Sequence, residues 1–90
     1  MTRRYTLNQA GEHIDEFPWV QEFEAWAQRT RTTVNWSCTE HPDTPARWAA
    51  TASFGAHKMT GYGQTRKEAK KDAVIRIERA GILVSSRSAA

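Results

Sequence analysis

The chain has 90 residues, of which 39% are hydrophobic, with four Trp and three Phe; that suffices for one modest core and leaves no material for a second domain. Its formal net charge is only +3, but residues 1–44 hold four Arg against seven Asp or Glu, whereas residues 45–90 hold nine Lys or Arg against three acids, so the positive field belongs to the C-terminal half. One cysteine excludes an internal disulfide framework, and no apolar run nears the roughly 20 residues of a membrane span.

Residues 1–16 mix polar positions with Tyr5, Leu7 and Ile14 at no sustained period, which reads as a flexible N-terminal arm or an irregular cover. Arg3 and Arg4 are a short basic pair of the kind that is usually solvated. The N-terminal stretch lacks the apolar core of a signal peptide, so an intracellular location is expected, in cytoplasm or nucleus alike. From Pro18 the pattern turns helical: Trp19, Val20, Phe23, Trp26, Ala27 and Thr30 recur at steps of three and four. That stripe has to face a sheet, which leaves Gln21, Glu22, Glu24, Ala25, Gln28 and Arg29 outside, with Gln21, Glu24 or Ala25, and Gln28 along one outer track.

Val34, Trp36 and Cys38 alternate with polar residues in the period of a half-buried strand, which makes Cys38 a core residue. His41, Pro42, Asp43, Thr44 and Pro45 form a turn-rich loop. Alternation resumes at Arg47, with Trp48, Ala50, Ala52 and Phe54 on one face, and a hairpin through Gly55 and Ala56 leads to a third strand from about His57 to Gly63. The order is therefore helix, three antiparallel strands, helix: an α+β domain over residues 17–83, followed by a disordered tail from 84 to 90.

The most informative stretch is Gly-Tyr-Gly-Gln-Thr-Arg-Lys-Glu-Ala-Lys-Lys-Asp-Ala-Val, from Gly61 to Val74. Thr65 sits where an N-cap belongs and Glu68 follows three residues on, the pattern of a capping box. Ala69, Ala73, Ile77 and Ala80 share one face, where small side chains allow close approach to a sheet; Lys67, Lys70 and Lys71 fall on the other side, and Gly81 is a suitable stop. Cations crowd the first two turns, although the helix dipole favours acids there. Such an arrangement makes physical sense when an external anion joins it, and phosphate is the obvious one.

These residues resemble the signature of the double-stranded RNA-binding domain, a G-x-G-x-(S/T)-K-K-x-A-K-x-x-A-A run that opens the last helix. Gly61, Gly63, Thr65, Lys67, Ala69, Lys70 and Ala73 match it, with Arg66 and Val74 as close replacements. The resemblance implies an α-β-β-β-α fold with two helices on one face of a three-stranded antiparallel sheet, and non-catalytic binding of double-stranded RNA by its A-form shape. Arg66, Lys67 and Lys70, with Thr65 and Lys71 beside them, would bridge the phosphate rims of the narrow major groove. The first helix and first loop would reach the flanking minor grooves, a span of about 16 base pairs. The register of the first helix is similar to the RNA helicase A branch, which has a like pair to Ala25 and Trp26; that puts Gln21, with Glu24 and Gln28, toward the groove. Three positions depart from the family's pattern. Ala25 stands where Glu is common, and in place of the loop's Gly-Pro-x-His this chain has His41 and Thr44 around Pro42, leaving His41, Thr44 and Arg47 as the candidate loop donors.

Two plainer readings stay open. The basic cluster is a solvated helix face with Glu68 and Asp72 as local partners, or the fold serves as a protein interaction or homodimerisation module, to which exposed Val74, Ile82 and Leu83 would contribute. Other chemistries fail on particular residues. Gly61-Tyr62-Gly63 lacks the third glycine of a dinucleotide turn, since Arg66 stands there. Cys38 and His41 have a ligand-like gap, but His13 and His57 supply no second pair for zinc. Asp15, Glu16, Glu22 and Glu24 spread along or ahead of the first helix instead of converging on magnesium. No catalytic residues, metal, cofactor, small-molecule substrate or membrane contact is expected.

Overall fold

The computed structural model describes residues 5–14 and 16–84. Helix α1 spans Trp19–Arg29, strands β1, β2 and β3 span Asn35–Glu40, Trp48–Phe54 and His57–Gly63, and helix α2 spans Arg66–Ala80. This is the α-β-β-β-α order of the sequence reading, an α+β fold with one open antiparallel sheet in the strand order β1-β2-β3. Gly55, at φ 56°, supplies the left-handed residue that the β2–β3 hairpin needs.

Register decides which residues meet the helices. Trp36 pairs with Ala52 and Ala52 with Met59; Cys38 pairs with Ala50 and Ala50 with Gly61. Side chains two apart share a face, so these rows and Phe54 point to one side. The other side carries Ser37, Thr51, Thr60 and Tyr62, with the Thr51 and Thr60 hydroxyls 2.8 Å apart. Cys38 is half-buried, short of the core position expected, because β1 is an edge strand and helix covers only part of it.

Helix α1 follows its apolar stripe: Trp19, Phe23, Trp26 and Ala27 are buried. Pro18 stands just ahead of the helix, and its carbonyl accepts from the Glu22 N–H at 2.9 Å. The end is a Schellman turn, with the Thr32 N–H on the Ala27 carbonyl at 2.8 Å and the Arg31 N–H on Gln28 at 3.2 Å. The ring of Phe23 lies 5.4 Å from Phe54 and 6.1 Å from Trp36, and Trp26 lies 5.9 Å from Phe54, which seats α1 on the sheet. Val74, Ile77 and Leu83 complete the core, so Val74 and Leu83 are not the exposed apolar residues expected, and Ile82 is partly buried against them. Sequence period alone placed Val74 just beyond the alanine face; in the fold it joins one core cluster with Trp19, Phe23 and Trp26 of α1.

Alanines and glycines set how near α2 comes. Ala69 and Ala73 are fully buried, and a Cβ built on Gly61 would lie 2.1 Å from the Ala73 N and 2.5 Å from the Ala69 O. Helix backbone rests on strand backbone.

The segment ahead of α1 forms an irregular cover. Leu7 is buried in the core, the Tyr5 N–H donates to the Leu83 carbonyl at 2.8 Å, and the Leu7 and Asn8 N–H groups donate to the two carboxylate oxygens of Glu78 at 2.9 and 3.1 Å. Val84, where the tail was expected to begin, is held by the Trp26 indole N–H on its carbonyl at 2.9 Å. Arg3, Arg4, Asp15 and residues 85–90 lie outside the described residues. Removing the acceptor from two part-buried amides costs about 1–3 kcal/mol, so Glu78→Ala is expected to lower stability by that amount in urea unfolding. An unchanged midpoint would show that the two carboxylate bonds to the cover contribute nothing to stability.

Candidate nucleic-acid interface

Local sequence fixes the start of α2. Thr65 is extended (φ −131°, ψ 164°) and its hydroxyl oxygen accepts from the Glu68 N–H at 3.1 Å. Glu68 reaches back to the N–H of Gln64 at 3.3 Å, one residue earlier than a capping box prescribes. Asp72 turns away from the lysines, accepting from Arg76 Nε at 2.8 Å and from the Tyr62 N–H at 2.9 Å. Glu68 and Asp72 are thus both engaged elsewhere, and among the described residues no acid pairs with Arg66, Lys67, Lys70 or Lys71. Among the described residues no ion pair neutralises the positive charge at this helix end. The Asp72 bond also occupies an outward N–H on β3, an open edge that would otherwise offer a template for strand addition.

Two of the four cations are seated on aromatic rings. The guanidinium carbon of Arg66 stands 5.1 Å from the Trp48 ring centroid, and Lys70 Nζ stands 5.3 Å from that of Trp36. Lys70 therefore leans across the sheet and is half-buried, where the helical wheel had put it on the outer side. A four-carbon stem has the reach to return over the sheet, which a wheel drawn from Cα positions does not show. Lys67 is exposed and Lys71 half-buried on the adjoining flank.

The starts of the two helices enclose a groove of about 1000 Å³. Phe17, Pro18, Trp19 and Val20 contribute its apolar lining, Gln21 and Glu24 come from α1, and Thr65, Arg66, Lys67, Glu68, Lys70 and Lys71 come from α2. Seven of the expected site residues thus share one concavity. Gln28 is exposed farther along α1 and does not line it.

The loop of residues 41–47 is separate from the groove but rooted at the same end of the sheet, since Trp48, under Arg66, directly follows Arg47. Thr44 Oγ1 lies 2.9 Å from the His41 carbonyl and 2.8 Å from that of Ala46, so its one proton is committed inside the loop. Its lone pairs remain for a donor such as a ribose hydroxyl. Arg47 Nε is 3.5 Å from Glu40 with both side chains about half exposed; such a pair is weak and leaves the guanidinium able to meet another anion. His41 is exposed, and its N–H closes the loop on the Arg47 carbonyl.

Sequence reasoning assigned Trp36 and Trp48 to the packed face and missed their contact with the cations. The available signal was two large π faces on the helix-facing side of strands next to a basic helix start. Among the described residues no group of three His, Cys, Asp or Glu side chains is placed to hold a metal ion, and no helix is long and apolar enough to cross a membrane. The fold and groove define an α+β domain of α-β-β-β-α order with a cationic helix start facing polar side chains of the first helix. Comparison of the chain with protein-family models, with curated proteins and with solved structures finds no match.

Proposed function

We propose that this protein binds double-stranded RNA, without catalysing a reaction on it, through Arg66, Lys67 and Lys70. The observation that carries the reading is the cation cluster at the start of α2, which has no acidic partner among the described residues and shares a groove with Gln21 and Glu24 of α1. A-form RNA presents two phosphate rims close together across a deep, narrow major groove, and ribose hydroxyls across a shallow minor one. Lysine suits the rims as a flexible point charge. The α1 side chains Gln21 and Glu24 offer donor and acceptor groups to a neighbouring minor groove, and Arg47 and His41 do so from the loop. Recognition of this kind reads groove spacing and 2′-hydroxyls, with little dependence on base sequence.

The test is a competition at near-physiological salt, about 0.15 M, among a duplex RNA of about 20 base pairs, the matching DNA duplex and single-stranded RNA. Preferential binding of the RNA duplex is expected, with affinity falling as salt rises. Equal affinity for the RNA and DNA duplexes would reduce the surface to a general polyanion site. No nucleic-acid binding, together with self-association in sedimentation, would support the protein-interaction reading instead.

A further inference from the structure

We infer that Trp48 and Trp36 are positioning residues that seat Arg66 and Lys70 for phosphate capture; this rests on the phosphate-binding reading of α2. Both cations lie within the roughly 6 Å over which a ring face attracts a positive group, and Trp is the strongest such face. Seating leaves the binding atoms available. The N–H donors of a guanidinium lie in its plane and point away from a ring stacked beneath it, while an ammonium that directs one N–H at a ring keeps two others.

The seats also spread the charges. Arg66 and Lys70 are one helical turn apart, about 6 Å along the axis. Their rings belong to different strands: Trp48 pairs with Glu40 of β1, and Trp36 lies four residues before Glu40, about 13 Å along the sheet. The ring of Trp36 is itself held. Trp36 packs edge-on against Phe23 at 6.1 Å, with its Nε1 enclosed and without a hydrogen-bond partner among the described residues, so packing alone fixes it. Two long side chains, otherwise free to sample many rotamers, thus have defined resting places before a polyanion arrives, and less conformational freedom is lost on binding.

The test is a double-mutant cycle on the full chain, with duplex RNA as one probe and heparin, a polyanion without A-form geometry, as the other. Trp48→Leu is expected to weaken binding about threefold to fivefold, the effect of one exposed cation–π interaction, and Trp48→Phe, which keeps a ring, less than about twofold. In an Arg66→Ala background Trp48→Leu should add almost nothing; equal losses in both backgrounds, or no loss in either, overturn the seating. The same cycle with Trp36→Leu and Lys70→Ala tests the second seat. Should the Leu variants fail to fold, tryptophan emission decides: Arg66→Ala should shift it in the wild-type chain and not in Trp48→Phe, and an identical shift in both overturns the seating. Binding of heparin but not of duplex RNA removes the RNA reading while the cycle on heparin still judges the seats; binding of neither removes both.

Discussion

Replacing Arg66, Lys67 and Lys70 together with Ala is expected to lower duplex-RNA affinity by about a thousandfold, since a charge-assisted hydrogen bond contributes about 1.5 kcal/mol at the low end of its range and three are removed. The salt dependence should flatten as well, by about 0.7 to 0.9 in the slope of log K against log salt for each phosphate that is no longer neutralised. Stability should move little. Arg66 and Lys67 are exposed and Lys70 half-buried; their replacement gives up two cation–π interactions, relieves repulsion among neighbouring cations at the positive end of the helix dipole, and adds alanine, the best helix former. Circular dichroism and melting should therefore stay near wild type. Unchanged RNA affinity in this variant would remove the phosphate clamp from the account of the protein, whatever else binds RNA.

The second large effect is expected at Gly61, where the smallest substitution available has nowhere to go. A Cβ there would fall 2.1, 2.5 and 2.6 Å from the Ala73 N, Ala69 O and Ala73 Cα, all of them backbone atoms that cannot swing aside. The strand is central to the packing, because Gly61 pairs with Ala50 on β2 beneath the fully buried Ala69 and Ala73. Gly61→Ala must push α2 off the sheet, opening the layer that buries Val74 and Ile77. Overpacking of this kind costs about 3 kcal/mol or more, which for a domain of this size lowers the melting temperature by about 12 to 24 °C. RNA binding should fail with the fold, in contrast to the triple variant, which loses binding and keeps its fold. A Gly61→Ala protein that melts like the wild type would mean that α2 does not lie this close to β3.

The element order was legible because each segment carries a clean period. Trp19, Phe23, Trp26 and Ala27 repeat as a helix stripe and are the buried residues of α1; Val34, Trp36 and Cys38 alternate, and β1 takes up that alternation from Asn35; Thr65 and Gly81 bracket α2. The groups converging at the start of α2 were legible for a local reason, since residues 65 to 71 are contiguous and a helix brings its first two turns together without help from the rest of the chain.

What escaped the sequence depends on packing between distant segments. The Glu78 carboxylate holding the Leu7 and Asn8 amides spans about seventy residues, and nothing in the spacing of either segment announces it. Val74 sits outside the alanine stripe and is nevertheless fully buried, in one core cluster with Trp19, Phe23 and Trp26 of α1. Asp72, a lysine partner by helical proximity, bonds to Tyr62 and Arg76 instead, because β3 runs alongside that flank of α2. Lys70 returns over the sheet to Trp36, a residue on a strand far earlier in the chain.

By itself, the amino-acid order determined the succession of helix and strands, the capped beginning of the last helix and the concentration of cations there, because hydrophobic period, capping and charge act over a few neighbouring residues. Only the tertiary structure decided which cations rest on indole rings, which acids are withdrawn from them, and that the α1 and α2 starts face one another across a single groove. Those outcomes follow from strand register and from backbone approach at Gly61, which bring together atoms that no local spacing relates.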